Sequence, residues 1–223
     1  MRDQYSMSKR IAIEFSSSTS DVIRGIKLAN DGASRVLLVH SFGADLDEFG
    51  SLPEKLHSRG YEPIAIDLIG HGISDGVSDL PRIREDLLCL IKQLVEDGDS
   101  IGLVMSGQLA TIGAHIGVAD KVVAQIFVNP ELDVTIMNQE NRAQSIRLVI
   151  HGDDPNIAAT KTKKFFSYLL GEKMMVSSLS AHLGLLQLSE LSQIQNHAEL
   201  FLHRYLSQKP ETRPVKPTIE RAL

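Results

Sequence analysis

The sequence predicts an α/β fold: a mostly parallel sheet of about eight strands flanked by helices, in one domain over residues 1–207. Three observations carry this. Apolar runs alternate with segments of helical period through most of the chain. Two of those runs, RVLLVH (35–40) and PIAIDL (63–68), are apolar without alternation, as strands buried on both faces are. The length of 223 residues and the 43% hydrophobic content also suffice for one sizeable core without covalent staples.

Each element has its own signal. IAIEF (11–15) and VIRGIKLA (22–29) read as two strands joined by the short polar link SSSTSD, hence an antiparallel pair. After the strand 35–40, Leu46, Phe49, Leu52 and Leu56 recur at helical spacing, and Gly60 closes a helix over 46–59. The strand 63–68 leads into the glycine-rich turn IGHGISDG. A long helix then spans about 80–96, with Leu80, Ile83, Leu87, Leu90, Ile91, Leu94 and Val95 on one side. Ser100–Val104 reads as a strand and Gln108–Ile116 as a helix of small residues. VVAQIFV (122–128) and IRLVIH (146–151) are further strands, and the link between them is too short for a large cap. A helix near 156–169, a strand KMMVSSL (173–179) and a last helix near 188–206 complete the domain. The segment 208–223 holds three prolines and mixed charge, and reads as an extended or disordered tail.

Composition excludes several function classes. A net charge of −5 argues against a general nucleic-acid or anionic-membrane surface. Cys89 is the sole cysteine, so no disulfide forms within the chain and a reducing compartment is permitted. The opening MRDQYSMSKR lacks the apolar core of a secretory signal, and no run approaches the roughly 18 apolar residues of a membrane span. The expectation is a cytoplasmic protein, not bound to nucleic acid or membrane, of undetermined oligomeric state. No paired ligand spacing suggests a metal, and no phosphate-cradling loop is present.

The polar motifs stand at strand ends. The first strand of the parallel set closes on His40-Ser41-Phe42-Gly43, and the next on Asp67-x-x-Gly70-His71-Gly72-x-Ser74. Open α/β sheets build their sites beyond the carboxyl ends of the strands, so these segments would share a rim with Ser106, the loop His151-Gly152-Asp153-Asp154-Pro155 and the loop around His182. With these motifs at these distances, residues 22–206 resemble the α/β-hydrolase superfamily, of the kind with little or no lid.

That resemblance implies an activity and a site. The family's order of nucleophile, acid and histidine places Ser106, then Asp154, then His182 in the triad. Asp153 is the alternative acid; Asp154 matches better because it precedes a proline, which holds it extended. The oxyanion donors would be the backbone N–H groups of Phe42 and Gly107. His40 and His71 would be structural, with His71 fixing a turn. The implied reaction is hydrolysis or transfer of an acyl group from a carboxylic ester or thioester, small or carrier-bound, without a cofactor.

Two departures from the family pattern bear on that reading. Ser41 replaces the usual glycine after the histidine. Around Ser106, the stretch Gly102-Leu103-Val104-Met105-Ser106-Gly107-Gln108 lacks the small residues that a nucleophile turn needs two before and two after its apex. Three registers are open: Ser106, Val104 or Gly107 at the apex, the last two leaving no nucleophile. An acid and a histidine at the expected places weigh toward Ser106. The alternative is a catalytically altered member: a non-hydrolytic binding module, or a lyase or cyclase using His182 without a serine.

Overall fold

The computed structural model describes residues 10–95, 99–132, 145–151, 159–177 and 192–206. β1 (Arg10–Ser16) and β2 (Val22–Leu28) form the expected antiparallel pair. β3 (Arg35–Val39), β4 (Glu62–Ile66), β5 (Ile101–Ser106), β6 (Val122–Val128), β7 (Ile146–His151) and β8 (Lys173–Ser177) follow. They make one eight-stranded sheet in the order β1-β2-β4-β3-β5-β6-β7-β8. The two pairings of β2 are antiparallel and all others parallel. β3 lies between β4 and β5, and Val36, Leu37, Leu38 and Val39 are all fully buried, which is why that run carries no polar alternation.

Helices cover both faces. α2 (Ile83–Leu94), α3 (Ala110–Ala114) and α4 (Ala159–Tyr168) cover one face, where Leu87, Leu90 and Phe165 pack on Leu37, Val39, Leu103 and Met105. α1 (Leu52–Ser58) and α5 (Ser192–Tyr205) cover the other, with Leu56, Phe201 and Leu202 against Val36, Leu38 and Val104. Each such side chain contributes roughly 1.5–3 kcal/mol by leaving water. Arg147 of β7 is fully buried, its guanidinium donating to Gln125 Oε1 (2.9 Å), Leu170 O (2.7 Å) and Ala114 O (3.0 Å). Asp86 of α2 accepts from Ser18 N (2.9 Å) and so ties the β1–β2 turn to the helix face.

Two differences from the sequence expectation bear on the site. The helix expected over 46–59 is split into a 3-10 turn, Leu46–Phe49, and α1, separated by Gly50 at φ 49° and ψ −118°. Pro53 lies in the first turn of α1, where its missing N–H costs no helical bond. β5 runs to Ser106 instead of stopping at 104, because β6 offers partners along its whole length, down to Ser106 opposite Val128. Of the link between β6 and β7, residues 133–144 lie outside the described residues, as does the tail 208–223. Among the described residues no helix is long and apolar enough to cross a membrane.

Candidate active site

The carboxyl ends of β3, β4 and β5 meet at one rim, since β3 pairs in parallel with both neighbours. Beyond β4, buried Asp67 organises the loop. One carboxylate oxygen accepts from Leu46 N (2.7 Å) and the other from Ile73 N (2.9 Å). Ser74 Oγ donates to Asp67 O (2.6 Å) and accepts from Arg24 N (2.8 Å), so the loop is also fastened to β2. The motif residues Asp67 and Ser74 are therefore structural: they hold backbone, not substrate.

Beyond β3, His40 is fully buried and bridges the same two loops. Its Nε2 accepts from Leu68 N (3.0 Å), which leaves the proton on Nδ1, donated to Ser41 O (2.7 Å). Burial holds this imidazole below its ordinary pKa, and the nearby His71 acts in the same direction; the Ser41 carbonyl, Asp67 and Asp45 oppose them. His71 returns the bridge, with Nε2 accepting from Gly43 N (3.1 Å) and Nδ1 donating to Ile69 O (3.0 Å). The Phe42 ring stands edge-on to His71 at 5.2 Å between centroids. Ser41 N and Gly43 N are thus committed to Glu48 and His71. The Phe42 amide between them is not used by these contacts.

The sequence reading missed Glu48. It is fully buried beneath the rim, where its carboxylate accepts from Ser41 N (2.6 Å) and from Ser106 Oγ (2.9 Å). Burial pushes its pKa up, against the hydrogen bonds from Ser41 and Ser106 that favour the charged form. Glu48 lies in the 3-10 turn Leu46–Phe49, in which it and Phe49 are buried.

Ser106 does not occupy the apex. It is the last residue of β5, with extended φ −120° and ψ 159°, fully buried, its hydroxyl donated to Glu48. The next residue, Gly107, takes φ +62° and makes the sharp turn toward α3. Of the three registers left open, the left-handed backbone falls on Gly107, the third. The physical reason is that β6 keeps Ser106 in its ladder, and the turn needs a left-handed residue that glycine supplies at little cost. Of the two expected oxyanion donors, Phe42 lies on the loop after β3 and Gly107 at the turn after β5, where the amide that follows is that of Gln108.

The large residue two before the apex is also accounted for. Met105 is fully buried and its sulfur lies 2.4 Å from where a Cβ at Gly113 would stand, so it fills the space that α3 leaves by having no side chain there. At the turn itself, a Cβ on Gly107 would meet, among the described residues, only Ser41 Cβ, at 3.1 Å. Glu131 N donates to Gly107 O (3.2 Å), and the Glu131 carboxylate pairs with Lys161 (2.7 Å), which ties the segment after β6 to the turn and to α4. Asp153, Asp154 and His182 lie outside the described residues.

An eight-stranded, mostly parallel sheet with helices on both faces and its polar motifs gathered at one rim defines an α/β-hydrolase fold. The sequence pattern of the alpha/beta hydrolase family matches residues 36–208, and the chain belongs to that family. No curated protein matches it in sequence. Among solved structures it is similar to the Pyrococcus furiosus esterase Pf2001, with TM-score 0.73 and 13% identity over 90% of this chain and 92% of that one. An α/β serine hydrolase homologue from Coxiella burnetii superposes with TM-score 0.72 and 16% identity over 85% and 96%. The α/β hydrolase GrgF from a Penicillium species gives 0.73 and 14% over 90% and 100%. At these identities the likeness is one of fold.

Proposed function

We propose that this α/β-hydrolase-family protein works without an acyl-enzyme on Ser106, and that its rim binds a small or carrier-borne acyl compound non-covalently. The observation that carries this reading is Gly107 at the apex, with the neighbouring serine hydroxyl buried and spent on Glu48. Covalent acyl transfer needs a hydroxyl aimed at the substrate carbonyl and a base within about 2.6–3.2 Å of it. A fully buried Ser106 presents neither its oxygen nor a path to it. A carbonyl oxygen suits the Phe42 amide, and the exposed Phe42 ring, with Ile73 and Val77 on the adjoining loop, offers apolar contact to an acyl chain.

Serine hydrolysis of an ester or thioester is the reading that the family membership suggests. A turn re-registered by one residue would be required to expose Ser106. Incubation with a serine-directed phosphonate, followed by peptide mass mapping, separates the two. No adduct on Ser106 is expected in the native protein; a stoichiometric adduct there would overturn this proposal and restore the acyl-enzyme.

A further inference from the structure

His40 and His71, structural residues in the family reading, each hold the other's loop. His40, on the loop after β3, accepts an amide of the loop after β4, Leu68 N at 3.0 Å. His71, on the loop after β4, accepts an amide of the loop after β3, Gly43 N at 3.1 Å. Both rings use Nε2 as acceptor and both donate Nδ1–H to a carbonyl of their own loop, Ser41 O at 2.7 Å and Ile69 O at 3.0 Å. The rings lie 5.1 Å apart. An imidazolium has two donors and no acceptor, so neither cross-loop bond survives a second proton on its ring. Two cations at that separation would also repel each other.

We propose that His40 and His71 are a reciprocal clamp between the two loops, closed only while both rings are neutral, and that acid opens it and frees the segment carrying the Phe42 amide.

The surrounding groups bear on that opening. Burial disfavours charge on His40, while Asp45 and Asp67 favour it; His71 is more accessible to solvent. The Asp67 carboxylate is already engaged by Leu46 N and Ile73 N, and that of Asp45 by Asp47 N (3.0 Å). Glu48 grips Ser41 N on the same loop and weakens as a charged acceptor in acid, so it does not replace the lost clamp. Arg24 of β2, paired with Asp75 and bonded to Ile73 O (2.8 Å), holds the far side of the β4 loop at any pH in this range.

Nitrogen-15 NMR of the full chain tests this without any ligand or activity. At about pH 8 both rings should show the Nδ1–H tautomer. On titration to about pH 5, the exchange protection factor of the Gly43 amide should fall about five- to tenfold, with Leu37 and Leu38 of β3 unchanged. His71→Gln places an amide oxygen near the Nε2 position and should keep Gly43 protected through the same range. An Nε2–H tautomer in either ring overturns the clamp. So does a His71 ring that protonates without loss of Gly43 protection, or one that stays neutral to the acid limit of folding. Loss of protection across the whole sheet together with Gly43 also overturns it, and so does acid release in His71→Gln matching that of the native protein.

Discussion

The ends of β3 and β4 and the end of β5 lie side by side on one rim, yet they keep different parts of the family pattern. In the first region Asp67, His40, His71 and Ser74 each hold backbone of a neighbouring loop, and the motif survives with its hydrogen bonds. In the second, the apex is Gly107, the residue before it turns its hydroxyl into the core, and Met105 occupies a position that a nucleophile turn keeps small. The difference separates two kinds of constraint. The first region's residues are needed for the chain to fold there, whatever the protein does. The second region's residues are those on which acyl-enzyme chemistry depends, and here the left-handed turn is made by a glycine.

The sharpest way to break that contrast is to give the turn its hydroxyl. Gly107→Ser must adopt φ +62°, at a cost on the order of 1–2 kcal/mol, and must clear Ser41 Cβ at 3.1 Å. Combined with Ser41→Gly, which removes that contact, it should acquire phosphonate labelling at position 107 where the native protein shows none. Labelling demands that a base from the later loops reach the apex, so His182→Ala in the same background should abolish it. A folded double variant that stays unlabelled would show that a hydroxyl at the turn does not by itself suffice for labelling.

Glu48 joins the two regions and carries the next largest effect. Glu48→Ala strands Ser41 N and Ser106 Oγ in the core and should lower stability by about 2–3 kcal/mol in urea unfolding. Glu48→Gln keeps an acceptor for Ser41 N and should stay within about 1 kcal/mol of the native protein near neutrality. The sign of the pH dependence follows from the raised pKa. The folded protein holds this proton more tightly than the unfolded chain, so the carboxyl's contribution is most favourable below the ordinary carboxylate range and is lost as pH rises through the raised value. The stability of Glu48→Gln relative to native should therefore improve with rising pH across that window. A constant difference would mean that Glu48 is not held as a buried acid. His40 runs the other way: its lowered pKa makes its contribution full above the ordinary imidazole value and lost in acid.

A smaller effect tests the packing behind the turn. Gly113→Ala pushes a methyl against the Met105 sulfur and, at 3.0 Å, the Phe127 ring, and should cost about 1–3 kcal/mol. Met105→Ala removes the main obstacle, so in a double-mutant cycle the Gly113→Ala penalty should shrink markedly. Additive penalties would place the strain elsewhere.

What the sequence revealed follows the same division. The buried strands 35–39 and 62–66 were legible because continuous apolar runs have few alternatives, and the β3 and β4 motifs because glycine, aspartate and histidine spacing encodes turn geometry directly. The apex was not settled by it. Whether β5 ends at 104 or 106 depends on how far β6 supports it, a tertiary fact that local periodicity does not record. Glu48 was hidden for a related reason: what buries it are Ser41 N and Ser106 Oγ at the ends of two strands, tertiary partners that local periodicity does not record.

The smallest expected effect lies at the outer edge of the first region, where Arg24 of β2 pairs with Asp75 at 2.5 Å, donates to Ile73 O at 2.8 Å, and also reaches Glu14 of β1 at 3.0 Å. These groups are open to solvent, so water and salt screen the pair and its contribution to stability is slight. Its signature is sought in titration. The Arg24 hydrogen bond holds the Asp75 carboxyl below the ordinary aspartate value. Its small stabilisation is present above the unfolded value and lost as pH falls through the lowered one. Carboxyl carbon-13 shifts should show Asp75 titrating low in the native protein and returning toward the ordinary range in Arg24→Gln, with added salt producing part of the same return. Because Asp75 N also donates to Val22 O at 2.9 Å, backbone bonding keeps the loop in place when the pair is cut. Gly43 and Leu68 protection should therefore not change in Arg24→Gln. If it falls, the clamp of His40 and His71 is not self-sufficient, and the first region owes its order to the surface pair as well as to its buried motif.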